Sequence, residues 1–178
     1  WYMKRVVDYV IAERSHLIFD HDRAYPNGGI NPRPPLFSWS LALGGIALSW
    51  LLEMPSEQAV WWAMSSLPAI YGALIVVPVA GIASRAHSRN AGIISAWLIA
   101  LMPGHLSRST FAYADHDSFA MLFLAIALYF WIRGLEQIQY KKVFKSTSAN
   151  PLYVIAGLRE TWKSNPVLMA NATMSGIA

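Results

Sequence analysis

The chain has 178 residues, 55% of them hydrophobic and only 13% charged, with a formal net charge of +4. Soluble domains carry about 25% charged residues, so composition excludes an ordinary soluble domain and points to a chain that crosses a membrane several times. The basic residues cluster between apolar runs, which reads as a topology signal and excludes a nucleic-acid partner, and the absence of Cys excludes disulfides and thiolate chemistry.

The first residue is Trp and the apolar run at 168–178 breaks off, so the sequence reads as a fragment of a larger membrane protein, truncated at both ends. Residues 1–16 alternate Val6, Val7, Tyr9, Val10 and Ile11 with Lys4, Arg5, Asp8, Glu13 and Arg14, which predicts an amphipathic helix at a membrane surface. That segment is charged throughout, so it is not a signal peptide. Residues 17–35 hold a first acidic pair, Asp20-His21-Asp22. They also hold the stretch from Tyr25 to Pro35, whose many Pro and Gly residues exclude regular structure and favour a shaped loop.

Residues 36–52 are apolar and, at this length, stand at the lower edge of a transmembrane span. Pro55-Ser56-Glu57 marks a break and a new helix start. Residues 57–83 predict a span with Pro68 and Pro78 as tolerated kinks. A short basic loop at 84–90 precedes an apolar but short run at 91–102, closed by Pro103-Gly104-His105. Residues 118–132 predict the next span, 133–165 a polar and basic loop, and a last span begins near Pro166.

Between the runs ending at 102 and starting at 118 lies Ala114-Asp115-His116-Asp117. Charged groups at a membrane boundary are costly and usually serve ion or substrate chemistry. Two carboxylates at i and i+2 converge on a divalent cation only from irregular or extended backbone; on a helix they point about 200° apart. Alternatively, Asp117 caps the following helix and Asp115 is a solvated loop residue. The positive-inside rule places 84–90 and 133–165 in the cytoplasm and the Asp-His-Asp loop outside. It also prefers that 36–52 crosses, because 1–35 carries Lys4, Arg5, Arg14, Arg23 and Arg33.

Two motifs resemble a known family. Trp1-Tyr2-x-x-Arg5 resembles the start of the first external loop of oligosaccharyltransferase catalytic subunits, the membrane glycosyltransferases of N-glycosylation, where an Asp two positions before the aromatic pair opens the motif. The stretch from Arg108 to Asp117 resembles the family's second acidic motif, an Arg, a spacer of small and aromatic residues, then Asp-x-Asp. Tyr25-Pro26-x-Gly28 and Asn31-Pro32-Arg33-Pro34-Pro35-Leu36 look like the loop of archaeal-type members.

The resemblance implies an all-α polytopic membrane domain of the GT-C glycosyltransferase type. Residues 1–56 would form a first external loop with interfacial helices. Residues 57–178 would form spans, with an external Asp-x-Asp loop at 104–117 and a cytoplasmic loop at 133–165. On this view 36–52 lies on the outer face, against the charge count.

The implied activity is transfer of an oligosaccharide from a polyprenyl (dolichyl) phosphate or diphosphate to the Asn of an Asn-x-Ser/Thr acceptor polypeptide. Asp115 and Asp117 would be the catalytic acids and would hold Mg²⁺ or Mn²⁺, whose preferred ligands are oxygens. Arg108 and His116 would contact substrate, with Arg108 free to pair with Asp117 or the lipid phosphate. Asp20 and Asp22 have no ligand role in this family and are expected to be structural or solvated, Arg14 and Arg23 to be surface charges, and His105 a loop residue. The rivals are a protein O-mannosyltransferase-like enzyme, which also carries acids in its first loop, an ion-coupled transporter, and a non-catalytic membrane subunit.

Overall fold

A computed structural model describes residues 2–137 and 166–177. Trp1 and most of the basic loop at 133–165 therefore lie outside the described residues. Eight α-helices are described: α1 (Tyr2–Glu13), α2 (Pro35–Leu52), α3 (Ser56–Leu74), α4 (Val76–Ala86), α5 (Arg89–Leu101), α6 (Pro103–Arg108), α7 (Asp117–Gln137) and α8 (Pro166–Ile177). By length and composition, three stretches can cross a membrane: Pro35–Leu52, Ser56–Ala86 and Asp117–Glu136. Tertiary contacts divide the chain into two compact units, Trp1–Leu74 with Ala100–Ala120, and Ile75–Ile99 with Met121–Ala178.

In the first unit α1 behaves as its pattern requires. Met3, Val6, Val7 and Val10 recur on one face and are buried, while Lys4 and Asp8 pair one turn apart on another, at 2.6 Å. The helix ends at Arg14, which takes a left-handed conformation (φ 50°). Pro35 starts α2 at a position where its missing N–H costs nothing. Phe37, Leu41 and Ala42 of α2 close on Ala59, Val60, Ala63 and Met64 of α3, and all seven are buried. The α2–α3 pair is tight because of a glycine: a Cβ on Gly45 would lie 2.7 Å from Val60 Cγ2 and 3.1 Å from Val60 Cα.

The Pro/Gly-rich stretch contains one piece of regular structure that composition did not announce. Phe19–Asp20 (β1) pairs antiparallel with Gly29–Ile30 (β2), in register Phe19 to Ile30 and Asp20 to Gly29. Asn31 N–H donates to Ile18 C=O at 2.8 Å and extends the pairing. The loop needs its glycine at position 28: φ is +72°, and a Cβ there would meet the Phe19 ring at 2.7 Å. In the second unit, Tyr129 lies against Gly81, Arg85 pairs with Glu136 at 2.5 Å, and Ser175 Oγ donates to Ala127 C=O at 2.9 Å.

Candidate acidic site

The segment between α6 and α7 is irregular, so the geometry that would splay Asp115 from Asp117 does not apply. Ala112 sits at φ 66°, and its N–H donates to Ser65 C=O of α3 at 2.9 Å. Asp115 N–H turns back to Tyr113 C=O at 2.8 Å. Trp62 and Phe111 meet at 6.2 Å between ring centroids, and the His105 ring nitrogen Nε2 lies 3.0 Å from Gly72 C=O. The loop is thus tied to α3 along residues 62–72. His105 belongs to α6 and anchors it to α3, rather than standing in a free loop.

Asp115, His116 and Asp117 each offer one ligand atom, and these atoms lie within 4.8 Å of one another. Asp115 Oδ1 accepts the backbone N–H of His116 at 2.8 Å and a guanidinium N–H from Arg33. Its other oxygen faces Arg108 Nη1 at 3.8 Å, and the same Nη1 lies 3.3 Å from Asp117 Oδ2. Burial pushes the Asp115 carboxyl up, but the hydrogen bonds from His116 and the charge and hydrogen bond of Arg33 outweigh it and hold the group below the usual carboxylate range. Asp115 is therefore ionised and presents an oxygen donor of the kind hard cations take.

His116 Nδ1 lies 2.8 Å from both Arg33 Nη1 and Asp115 Oδ1. Nδ1 thus stands between a guanidinium donor and a carboxylate acceptor. Nε2 stands 3.9 Å from Asp117 Oδ1. Asp117 occupies the first turn of α7, where the helix dipole favours a negative charge.

The first acidic pair has a different environment. Arg5 bridges it, one guanidinium nitrogen on Asp20 and the other 2.9 Å from Asp22 Oδ2. Asp20 Oδ1 also accepts Asp22 N–H at 3.0 Å, closing a local turn. Asp20 is buried. Burial raises its carboxyl, but the Arg5 hydrogen bond and charge, with backbone N–H groups, hold it below the usual value. Asp20 is thus structural and Asp22 an exposed partner of Arg5, where the sequence reading expected either structural or solvated residues. Arg23 is more than a surface charge: it donates to Ile30 C=O and stands over the Tyr2 ring at 5.8 Å.

The chain matches the family described as oligosaccharyl transferase STT3, N-terminal, over residues 1–172. It belongs to the STT3 family. Curated relatives agree. A dolichyl-phosphooligosaccharide-protein glycotransferase 3 of Archaeoglobus fulgidus is 30% identical over 118 residues, covering 65% of this chain and 13% of the relative. The AglB dolichyl-monophosphooligosaccharide–protein glycotransferase of Haloferax volcanii is 29% identical over 138 residues, covering 72% of this chain and 13% of the relative. The chain therefore spans about an eighth of the length of these relatives.

Two solved structures share the fold. An Archaeoglobus fulgidus oligosaccharyltransferase in the apo form aligns over 91% of this chain and 19% of its own, with TM-score 0.71 and 23% identity. Archaeal AglB from Archaeoglobus fulgidus, in complex with an inhibitory peptide and a dolichol-phosphate, aligns over 98% of this chain and 19% of its own, with TM-score 0.70 and 20% identity. The all-α, polytopic architecture expected from the sequence is that of these membrane glycosyltransferases.

Within this STT3 segment, the structure brings together Asp115, His116, Asp117 and Arg108, the four residues that the motif singled out. It adds Arg33, to which sequence reasoning gave no role. Arg33 is 82 residues from Asp115 along the chain, and only tertiary structure joins them. Its place between Pro32 and Pro34 restricts the backbone there but names no partner.

Proposed function

We propose that this chain forms the first outer-face loop and the Asp-x-Asp loop of an enzyme that transfers an oligosaccharide from a polyprenyl phosphate or diphosphate to Asn of Asn-x-Ser/Thr acceptors. The observation that carries the reading is the contact of Arg33 and Asp115. It joins the two loops that the STT3 motifs define into one charged cluster at the head of a membrane helix. A lipid phosphate is the anionic group that such a cluster suits, and the guanidinium of Arg108 is well shaped for it. The amino end of α7 adds a favourable dipole for an anion.

Asp115 and Asp117 fit a hard divalent cation, Mg²⁺ or Mn²⁺, by donor type and by the closeness of their ligand atoms. Such an ion would supply charge neutralisation for a departing lipid phosphate. The residues of this chain prepare for it: His116 N–H fixes Asp115, and Arg108 orients Asp117.

The outer-face assignment has three supports. Ser56–Ala86 has 31 residues, against about 20 needed to cross. Lys4, Arg5, Asp8 and Arg23 line a 560 Å³ cavity with Glu57 and Trp61, so the first turns of α3 are surrounded by charge, which hydrocarbon does not tolerate. Finally, α2 packs on α3 through Val60, Ala63 and Leu67, level with the Asp-x-Asp loop at Trp62 and Ser65. On this reading α2 lies at the outer face and does not cross.

The test is Asp115→Ala in the full-length protein, read by glycan transfer from a lipid-linked donor to an acceptor peptide in membranes. The expected loss is roughly 10²- to 10³-fold, the scale of several kcal/mol of charge stabilisation. Transfer at the native rate would sink the assignment and favour a non-catalytic membrane subunit.

A further inference from the structure

Arg33 is built into position. Its backbone N–H donates to Asn31 Oδ1 at 3.0 Å. The same oxygen accepts Tyr2 Oη–H at 2.7 Å, and Asn31 Nδ2 donates to Leu17 C=O at 2.9 Å. Asn31 is buried and Pro32 and Pro34 stiffen the chain on either side of Arg33. The guanidinium is delivered to Asp115 and His116, yet its Nε is buried with no hydrogen-bond partner among the described residues.

The charges of the cluster explain what this arrangement does. Asp115 and Asp117 contribute two negative charges, and Arg33 and Arg108 two positive ones, so the described cluster is neutral. A divalent cation that takes Oδ1 of Asp115 competes with Arg33 for that oxygen, and it leaves two excess positive charges where Asp115 is only 17% exposed. An anion entering with the cation removes that excess and gives Arg33 new acceptors, including one for its unpaired Nε.

We infer that Arg33 is a positioning residue that stands in for the cation on Asp115 and passes to a phosphate group when the cation binds, so that cation and phosphate bind cooperatively. This inference rests on the reading of Asp115 and Asp117 as cation ligands. A purely structural Arg33 makes the opposite prediction, because losing an inter-loop pin loosens Asp115 and weakens cation binding.

The test is Mn²⁺ binding to the full-length protein, followed by the electron paramagnetic resonance of free Mn²⁺, alone and with farnesyl phosphate or inorganic phosphate. In the native protein farnesyl phosphate tightens Mn²⁺ binding by roughly tenfold, the ordinary size of a coupling between sites. Arg33→Gln binds Mn²⁺ alone several-fold tighter than native, and its coupling falls towards one. Arg33→Lys keeps the charge and stays close to native on both measures. Coupling with both phosphates supports a site for the group itself; coupling with farnesyl phosphate alone supports a site for the lipid.

Native protein that binds Mn²⁺ without coupling overturns the inference whatever the variants do. So does Arg33→Gln with unchanged or weaker Mn²⁺ binding. Asp115→Asn separates the two claims. If it binds Mn²⁺ as the native protein does, the cation-site reading itself fails. If it loses Mn²⁺ while Arg33→Gln is unchanged, only the role of Arg33 falls.

Discussion

Asn31→Ala tests the keystone of the first loop. The side chain makes three well-formed hydrogen bonds, accepting from Tyr2 Oη–H at 2.7 Å and Arg33 N–H at 3.0 Å and donating to Leu17 C=O at 2.9 Å. Each is worth about 0.5–1.5 kcal/mol net, and truncation leaves its partners unpaired. Tyr2 is half-buried and water recovers part of its loss, so about 2–3 kcal/mol is lost locally. That corresponds to a roughly 30- to 150-fold rise in the opening equilibrium of the loop. Hydrogen exchange on the intact protein reads it directly: amides in residues 17–34 should lose protection by that factor, with those of α7 unchanged. Tyr2→Phe removes one bond only and should accelerate the same amides by roughly fivefold, about 1 kcal/mol. Unchanged exchange in 17–34, or equal acceleration across the protein, would refute the view that Asn31 holds this loop as a local unit.

Gly45→Ala places a Cβ 2.7 Å from Val60 Cγ2 and 3.1 Å from Val60 Cα, forcing α2 from α3 at about 1–3 kcal/mol. Thermal unfolding in detergent should show a clear drop, whereas Gly104→Ala, with nothing within 4 Å of the new atom, should show none. The Asp20–Arg5 pair predicts a pH effect. The folded carboxyl lies below its usual value of 3.8, so its stabilisation is fully present above that pH and is lost as pH falls through the folded value. The difference in melting temperature between native protein and Asp20→Asn should be constant near neutrality and shrink below about pH 4; a difference that persists unchanged to pH 3 would defeat the pairing argument. The proposed outer-face placement predicts that Tyr25→Cys and Phe111→Cys, both exposed, are labelled from outside intact cells by an impermeant maleimide while His87→Cys is protected. Labelling at 111 with protection at 25 would separate the two loops across the membrane.

What could be read from the residues, and what could not, divides by range along the chain. Local patterns carried through: the Val6, Val7 and Val10 face of α1, the 36–52 run that falls within α2, and the 57–83 run that falls within Ser56–Ala86. The motif also picked out Asp115, His116, Asp117 and Arg108, which lie together because they are neighbours in sequence. Long-range partners were invisible. Nothing in a single sequence pairs Arg33 with Asp115, Arg5 with Asp20, or His105 with Gly72, because each pairing depends on how separate elements pack. The β1–β2 pair escaped for a related reason. Two residues per strand are too few for an alternating pattern to register.

The same distinction explains why the charge count and the family motifs disagreed over residues 36–52. The positive-inside rule weighs Lys4, Arg5, Arg14, Arg23 and Arg33 as cations that hold a segment in the cytoplasm. In the folded unit, four of the five have partners: Lys4 has Asp8, Arg5 has Asp20 and Asp22, Arg23 has the Ile30 carbonyl, and Arg33 has Asp115. They build the loop and its junction with the acidic site, a use that a count of cations does not register. A statistical count over a sequence cannot separate these uses, and the contact between Arg33 and Asp115 supports the outer-face reading. On the proposed reading, that contact keeps the first loop and the Asp-x-Asp loop on one side of the membrane.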